Sequence, residues 1–181
     1  SGFTFAPEAG SDRLRKVINK NITDDDLIKA TKIAIENGWK TLKFYFMIGL
    51  PTETKEDVEA IANLIERVIQ ETRKMGKIKL NISVSPHSPK SHTPFQWEKQ
   101  DTKEEFLDKI YLLKEKLKKY KQVKLSWRDP EVSQIECILG RGDRRLAGAI
   151  HLAWKKGATF DGWNEQFNYQ EWKNAFVDSG L

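Results

Sequence analysis

The chain has 181 residues, a length that suits one domain, or one domain with an appendage, and that can bury a substantial core. Its 39% hydrophobic and 31% charged residues are those of an ordinary soluble globular protein, and no run approaches the ~18 consecutive apolar residues of a membrane span. The net charge of +5 is a mild excess, well short of a nucleic-acid-binding tail, and the single cysteine, Cys137, excludes an intrachain disulfide framework and points to a reducing cytoplasm.

The opening "SGFTFAPEAG" has neither a basic region nor a long apolar stretch, so it is not a signal peptide. Within it, "GFTFAPE" (2–8) alternates and is rich in β-formers, which predicts a strand. "SDRLRKVIN" predicts a short helix capped by Ser11, with Leu14, Val17 and Ile18 on one face. Thr23 caps the next helix, "DDDLIKATKIAIENG". Its three aspartates suit the positive end of the helix dipole, and Asn37-Gly38 stop it.

"WKTLKFYFMIG" is the second strand. Thr54 caps a long helix from Lys55 to about Met75, with Val58, Ile61, Ala62, Ile65, Val68 and Ile69 at helical spacing. "KIKLNISVS" (77–85) alternates strictly, with Ile78, Leu80, Ile82 and Val84 on one side, and is the third strand. The proline-rich loop "PHSPKSHTPFQWEKQ" follows. Asp101 or Thr102 then caps a helix to about Tyr120, and "QVKLSW" is a fourth short strand.

The order is therefore βαβαβαβ, with crossovers long enough for parallel strands. Beyond residue 128 the pattern changes. "PEVSQIECIL", "DRRLAGAIHLAWKKG" and "NYQEWKNAFVDSG" read as three helices, and four of the six tryptophans lie between Trp127 and Trp172. Much of the positive charge sits in "KEKLKKYKQVK" (114–124). Such a run reads first as a solvated helix face and second as an RNA-facing patch.

Parallel α/β units place their chemistry at the C-terminal ends of strands. Here those ends read "APEAGS", "MIGLPTET" and "SVSPHSP". Each is made of small residues, prolines and a few polar groups, so a ligand is expected there, with glycine allowing close backbone approach.

"APEAGSDRLRKVINK" followed by "FYFMIGLPTET" resembles the second half of a radical S-adenosylmethionine (SAM) domain. "SVSPHSPKSHTPFQW", "KLSWRDPEVS", "RGDRR" and "FDGW" are similar to a subgroup of uncharacterised radical SAM proteins that often carry a B12-binding-like domain upstream. The resemblance implies an α/β fold: the second half of a (β/α)6 partial TIM-type barrel over residues 1–127, with a helical C-terminal extension over 128–181. It also implies SAM and a [4Fe-4S] cluster as cofactors, and leaves cobalamin open. The family's CxxxCxxC motif belongs after the first strand. One cysteine cannot ligate a cluster through three thiolates. The simplest expectation is a C-terminal piece of a longer protein, starting just before strand four, with the cluster held by the missing N-terminal part. The alternative is a degenerate, cluster-free homologue.

The resemblance also implies site residues. Glu8 matches a polar residue that touches the SAM ribose or methionyl group; capping the helix at Ser11 is its other reading. Lys20 matches a basic residue that meets the SAM carboxylate in some relatives, against a plain surface lysine. Met47, Ile48 and Gly49 would wall the adenine, although either side chain could equally be barrel core. Pro51 fixes the turn, and Ser11 and Ser85 complete the cofactor-binding set. His87 and His92 are substrate-side candidates or loop hydrogen-bonders, since two histidines without further donors make a poor metal site. No metal ligand set and no catalytic residue is assigned.

His151 reads as a packed structural histidine and Cys137 as a buried thiol. "RGD" (141–143) is better explained by Asp143 capping a helix.

The expected function is that of a radical SAM enzyme fragment, inactive alone. It would supply ribose, methionyl and adenine contacts and part of the substrate wall for 5′-deoxyadenosyl radical chemistry. The alternatives are an RNA-modifying enzyme of the methylthiotransferase type and a non-enzymatic scaffold derived from the barrel. SAM and an unidentified substrate are the expected partners, RNA is left open, and no membrane is involved. A barrel cut before strand four is expected to self-associate through its open strand edge and the inward apolar groups around Phe3, Phe5, Phe44 and Phe46.

Overall fold

The computed structural model of the chain describes residues 2–163 and 165–181. It divides into two compact units: Ser1–His87 with Asp101–Arg128, and Ser88–Gln100 with Asp129–Leu181. The proline-rich segment 88–100, read from sequence as a loop inside residues 1–127, groups with the second unit.

The first unit is α/β. Its strands are β1 (Phe3–Glu8), β2 (Thr41–Ile48), β3 (Lys79–Pro86) and β4 (Val123–Trp127). Its helices are α1 (Asp12–Val17), α2 (Asp24–Glu36), α3 (Lys55–Thr72) and α4 (Lys103–Leu117). The strands are all parallel and lie in the order β1-β2-β3-β4. Because each strand is added beside the last, right-handed crossovers carry every helix to the same face. That is the winding of a partial TIM-type barrel, not of a doubly wound sheet.

Strand alternation assigns the faces. Leu42, Phe44, Phe46 and Ile48 of β2, and Leu80, Ile82 and Val84 of β3, are buried in one core with Val58, Ile61, Ile65 and Val68 of α3 and Phe106, Ile110 and Leu113 of α4. The opposite face presents Lys43, Tyr45, Asn81, Ser83, Ser85, Lys124 and Ser126, which range from half-buried to exposed. This corrects one expectation. Phe5, Phe44 and Phe46 pack on the helix side, and Phe3 leans on Phe5 and Trp39, so the inward barrel face is polar. A layer of helices needs an apolar floor, and the alternating residues that supply it are the phenylalanines.

Helix starts follow local chemistry. Thr23, Thr54 and Thr102 each cap a helix and complete a capping box with an acid three residues on (Asp26, Asp57, Glu105). Thr102, not Asp101, caps α4, because the Asp101 carboxylate is bonded to Lys109. α3 and α4 end at Thr72 and Leu117, a few residues before the expected stops.

The second unit contains α5 (Pro130–Arg141), α6 (Leu146–Lys155) and α7 (Tyr169–Asp178). Its core gathers Ile135, Ala153, Trp172 and Ala175, and the Trp172 indole donates to Asp161. Cys137 is a buried free thiol. Two local expectations change. His151 is exposed and stacks on Trp154 instead of packing inside. Asp143 accepts the Arg145 N–H at 2.9 Å, a turn that precedes α6, whose own cap position carries no side-chain hydrogen bond.

Candidate functional site

The loop after β1 starts from a bulge. Phe5 pairs with Phe44 but Glu8 with Phe46, so β1 carries one extra residue across Ala6-Pro7. Pro7 has no N–H to give to a ladder, which makes this the natural place for the irregularity. Bulges re-aim the side chain that follows them. Here Glu8 has φ +67, the left-handed region, which costs a non-glycine residue about 1 kcal/mol. Its Oε1 lies 3.3 Å from Lys20 Nζ, with side-chain exposures of 27% for Glu8 and 33% for Lys20. The two ionic residues assigned to SAM are thus brought together. A pair this exposed is worth at most about 1 kcal/mol, so a ligand can displace either partner at little cost.

Sequence reasoning missed what holds this loop. Arg15 is fully buried. Its guanidinium donates to the carbonyls of Ala9 (2.9 Å) and Ile22 (3.0 Å) and pairs with Asp12 and Asp24. Gly10 lies so near α3 that a Cβ there would fall 2.3 Å from the Ile61 nitrogen. Ser11 caps α1 by accepting the Leu14 N–H, and its hydroxyl donates to Asp57. Asp57 also pairs with Arg13 and accepts the Thr54 N–H.

The loop after β2 is a tight turn. Gly49 has φ +82, and its N–H donates to Glu53 Oε1 at 2.9 Å. The Glu53 N–H returns to the Leu50 carbonyl at 3.0 Å, with Pro51 and Thr52 (φ +65) between them. The Glu53 side chain is 3% exposed and pairs with Lys109 at 2.8 Å; Lys109 also pairs with Asp101 at 2.7 Å. Burial pushes the Glu53 carboxyl up, against the pull of Lys109 and the Gly49 N–H. Burial lowers the Lys109 ammonium, but its hydrogen bonds to Asp101 and Glu53 outweigh this and raise it. The turn therefore rests on a buried acid–base–acid relay that no local pattern announces.

The remaining assigned residues divide. Met47 packs with Ala9, Leu14 and Leu50, a small cluster between the first two loops. Ile48 does not wall a ligand with its side chain, which is buried in the helix-facing core, and its carbonyl accepts the His87 N–H. Pro51 and Ser85 are half-buried, and the Ser85 hydroxyl is 3.5 Å from the Phe46 carbonyl. His87 closes the first unit just after β3. His92 is exposed in the second unit with φ +62 and donates its N–H to Gln96.

The residues present suit the polar end of an amino-acid-bearing nucleoside: a carboxylate, an ammonium and a glycine turn at adjacent strand ends. They do not suit an iron–sulfur cluster. Among the described residues no three His, Cys, Asp or Glu converge as metal ligands, and the one thiol is buried near the Pro89 carbonyl.

The sequence model of the radical SAM superfamily matches residues 1–65. The matched stretch runs from β1 into α3 and includes Glu8, Lys20 and the Gly-Leu-Pro turn. An uncharacterized protein of Methanocaldococcus jannaschii is 40% identical over 178 residues, 98% of this chain. The chain spans 38% of that protein's length. No solved structure matches.

Proposed function

We propose that this chain is the C-terminal half of the barrel of a radical SAM enzyme and forms part of its SAM site. The observation that carries the reading is the Glu8–Lys20 pair, held on a left-handed bulge beside the glycine turn of β2, inside the radical SAM match. When bound, SAM would supply the 5′-deoxyadenosyl group that such enzymes use for hydrogen abstraction.

The chain's own residues bind and orient. Glu8 accepts from the methionyl ammonium or the ribose hydroxyls, and Lys20 donates to the methionyl carboxylate. A zwitterionic ligand exchanges one ion pair for two, so neither side chain is left unpaired. Gly49 permits the left-handed turn beside which a flat ring would lie, and Met47 offers a soft, adaptable wall. Ser11 contributes through the Asp57 tie, and Pro51 by fixing the turn. The polar inward face, with Tyr45, Ser83 and Ser85, forms part of the substrate wall, and His87, which closes the first unit, is its candidate contact. The cluster's thiolates would come from sequence outside these 181 residues, since Cys137 is the one cysteine here.

The test uses the longer polypeptide that this reading requires, reconstituted under anaerobic conditions. Reduction should cleave SAM. Glu8→Ala and Lys20→Ala should each weaken SAM binding about tenfold, since charge-assisted hydrogen bonds are worth roughly 1.5–3 kcal/mol. Unchanged affinity in both folded variants would remove the assignment.

A further inference from the structure

At the end of the sheet opposite the candidate site, where the strands begin, lies a depression of about 890 Å³. Lys40, Arg73, Lys77, Lys79, Lys121 and Lys124 line it, and no carboxylate does. Among the described residues none of the six enters an ion pair. Their neighbours at the end of α4 and just beyond it behave differently: Lys116, Lys118 and Lys119 pair with Glu59, Glu115 and Glu66. Within the lysine-rich run at 114–124, Lys116, Lys118 and Lys119 are therefore neutralised and the rim's Lys121 and Lys124 are not.

The helix dipole accounts for part of this. Arg73 is the C-cap residue of α3, where a cation is favourable. It does not account for Lys79 and Lys124, which stand on strands. The Lys79 N–H donates to the Lys40 carbonyl, and Lys124 pairs with Asn81 two residues past Lys79. With strands about 4.8 Å apart and about 3.3 Å per residue, the backbones of Lys40 and Lys124 each stand within about 8 Å of that of Lys79 along the rim.

Like charges gathered at this spacing repel, and a multiply charged anion relieves them. The volume is that of a small-ligand site, on the order of 300–1,000 Å³, so the matching anion carries several charges in little space. Linked phosphates do this better than carboxylates on a peptide. The apolar wall is made of Ile69, Ile78 and Val123, with no aromatic ring on which a base could stack. We propose that this rim binds linked phosphate groups, either those of a single-stranded RNA backbone or those of a free oligophosphate. The site is separate from the SAM site and does not depend on it.

The experiment uses the 181-residue chain without SAM. Labelled oligouridine is followed by anisotropy and inorganic tripolyphosphate by calorimetry, over a series of salt concentrations. Binding in either arm should fall linearly in log–log form with salt. Lys79→Glu with Lys124→Glu should weaken it tenfold or more, while Lys118→Glu, on the paired face, leaves it unchanged. If the doubly charged variant fails to fold, the glutamine pair replaces it. Oligouridine binding that tripolyphosphate does not displace assigns an RNA backbone; tripolyphosphate binding without RNA binding assigns a free oligophosphate. The proposal is overturned if neither binds, if Lys118→Glu is as damaging as the double variant, or if oligoglutamate binds more tightly than both.

Discussion

Ser11 and Asp57 stand 46 positions apart, yet the Ser11 hydroxyl donates directly to the Asp57 carboxylate. That carboxylate also pairs with Arg13 and closes the capping box at the start of α3. The loop that carries Glu8 and the loop that carries Gly49 are therefore pinned to one side chain. A site assembled from two strand ends needs such a tie, because the loops have no ladder between them to fix their separation.

Asp57 makes this tie sensitive to acid. Its side chain is 5% exposed. Burial pushes its carboxyl up, but hydrogen bonds from Arg13, Ser11 and Thr54 outweigh this and hold it down at about 2, from an ordinary 3.8. The folded state thus favours the ionised form. The stabilisation is fully present above pH 3.8 and is lost as pH falls toward 2. A shift of this size corresponds to about 2 kcal/mol. Urea unfolding should show stability falling through this window in the wild type. Asp57→Asn should be less stable by a similar amount at neutral pH and should lose Asp57's share of the acid slope. An unchanged slope in the variant would show that the tie contributes nothing.

The relay behind the Gly-Leu-Pro turn yields a second prediction. Glu53→Ala would leave the Gly49 N–H and the Lys109 ammonium without their buried acceptor. Breaking a buried pair in this way costs roughly 3 kcal/mol. Gly49→Ala should also be costly: its φ of +82 is unfavourable with a side chain, and the new Cβ would lie 2.7 Å from the Asp101 oxygen that Lys109 holds. Chemical denaturation should place both variants well below wild type, whereas Glu98→Ala, on an exposed loop, should change stability by less than about 0.5 kcal/mol. Wild-type stability in Glu53→Ala would mean that the relay is ornamental.

Much of the fold was legible because its signals are local. Period-two alternation marked β1 and β3, and Thr23 and Thr54 announced their helices through caps. Which face of each strand meets the helices was not legible. Alternation says that Phe44 and Phe46 share a side, and only the monotonic strand order sends the helices to that side. The same ambiguity left Ile48 open between a ligand wall and barrel core. The site was half legible. Glu8, Lys20 and Gly49 sit in a recognisable string, whereas Glu53 and Lys109 meet across 56 positions and each looks like a solvated charge on its own element. Arg15 hides on a six-residue helix whose apolar face gives no hint that a guanidinium is buried beside it.

Cys137 supports a third prediction. A buried thiol, with no converging ligands among the described residues, cannot hold a cluster. Anaerobic treatment of the 181-residue chain with iron and sulfide should therefore leave no stoichiometric [4Fe-4S] cluster. Stable charge-transfer absorbance that disappears in Cys137→Ala would contradict this and place a ligand in the second unit.

The last prediction concerns association. β1 ends the sheet, and among the described residues its outer edge has no partner strand. Such an edge templates pairing with another chain. The apolar route through the sheet is closed, because Phe5, Phe44 and Phe46 are buried against the helices and the open sheet face carries Lys43, Tyr45, Asn81 and Ser83. Self-association through the sheet should therefore run through the β1 backbone and be insensitive to changes on the polar face. Thr4 is exposed on that edge strand. Thr4→Lys places a charge there and should weaken a dimer about tenfold, or about 1.4 kcal/mol, while Tyr45→Ser should not. Sedimentation equilibrium over a wide concentration range separates the cases. A monodisperse monomer at high concentration would mean that the edge is covered within the chain itself. Weakening by Tyr45→Ser instead would place the contact on the sheet face and make that face the surface that seeks a partner.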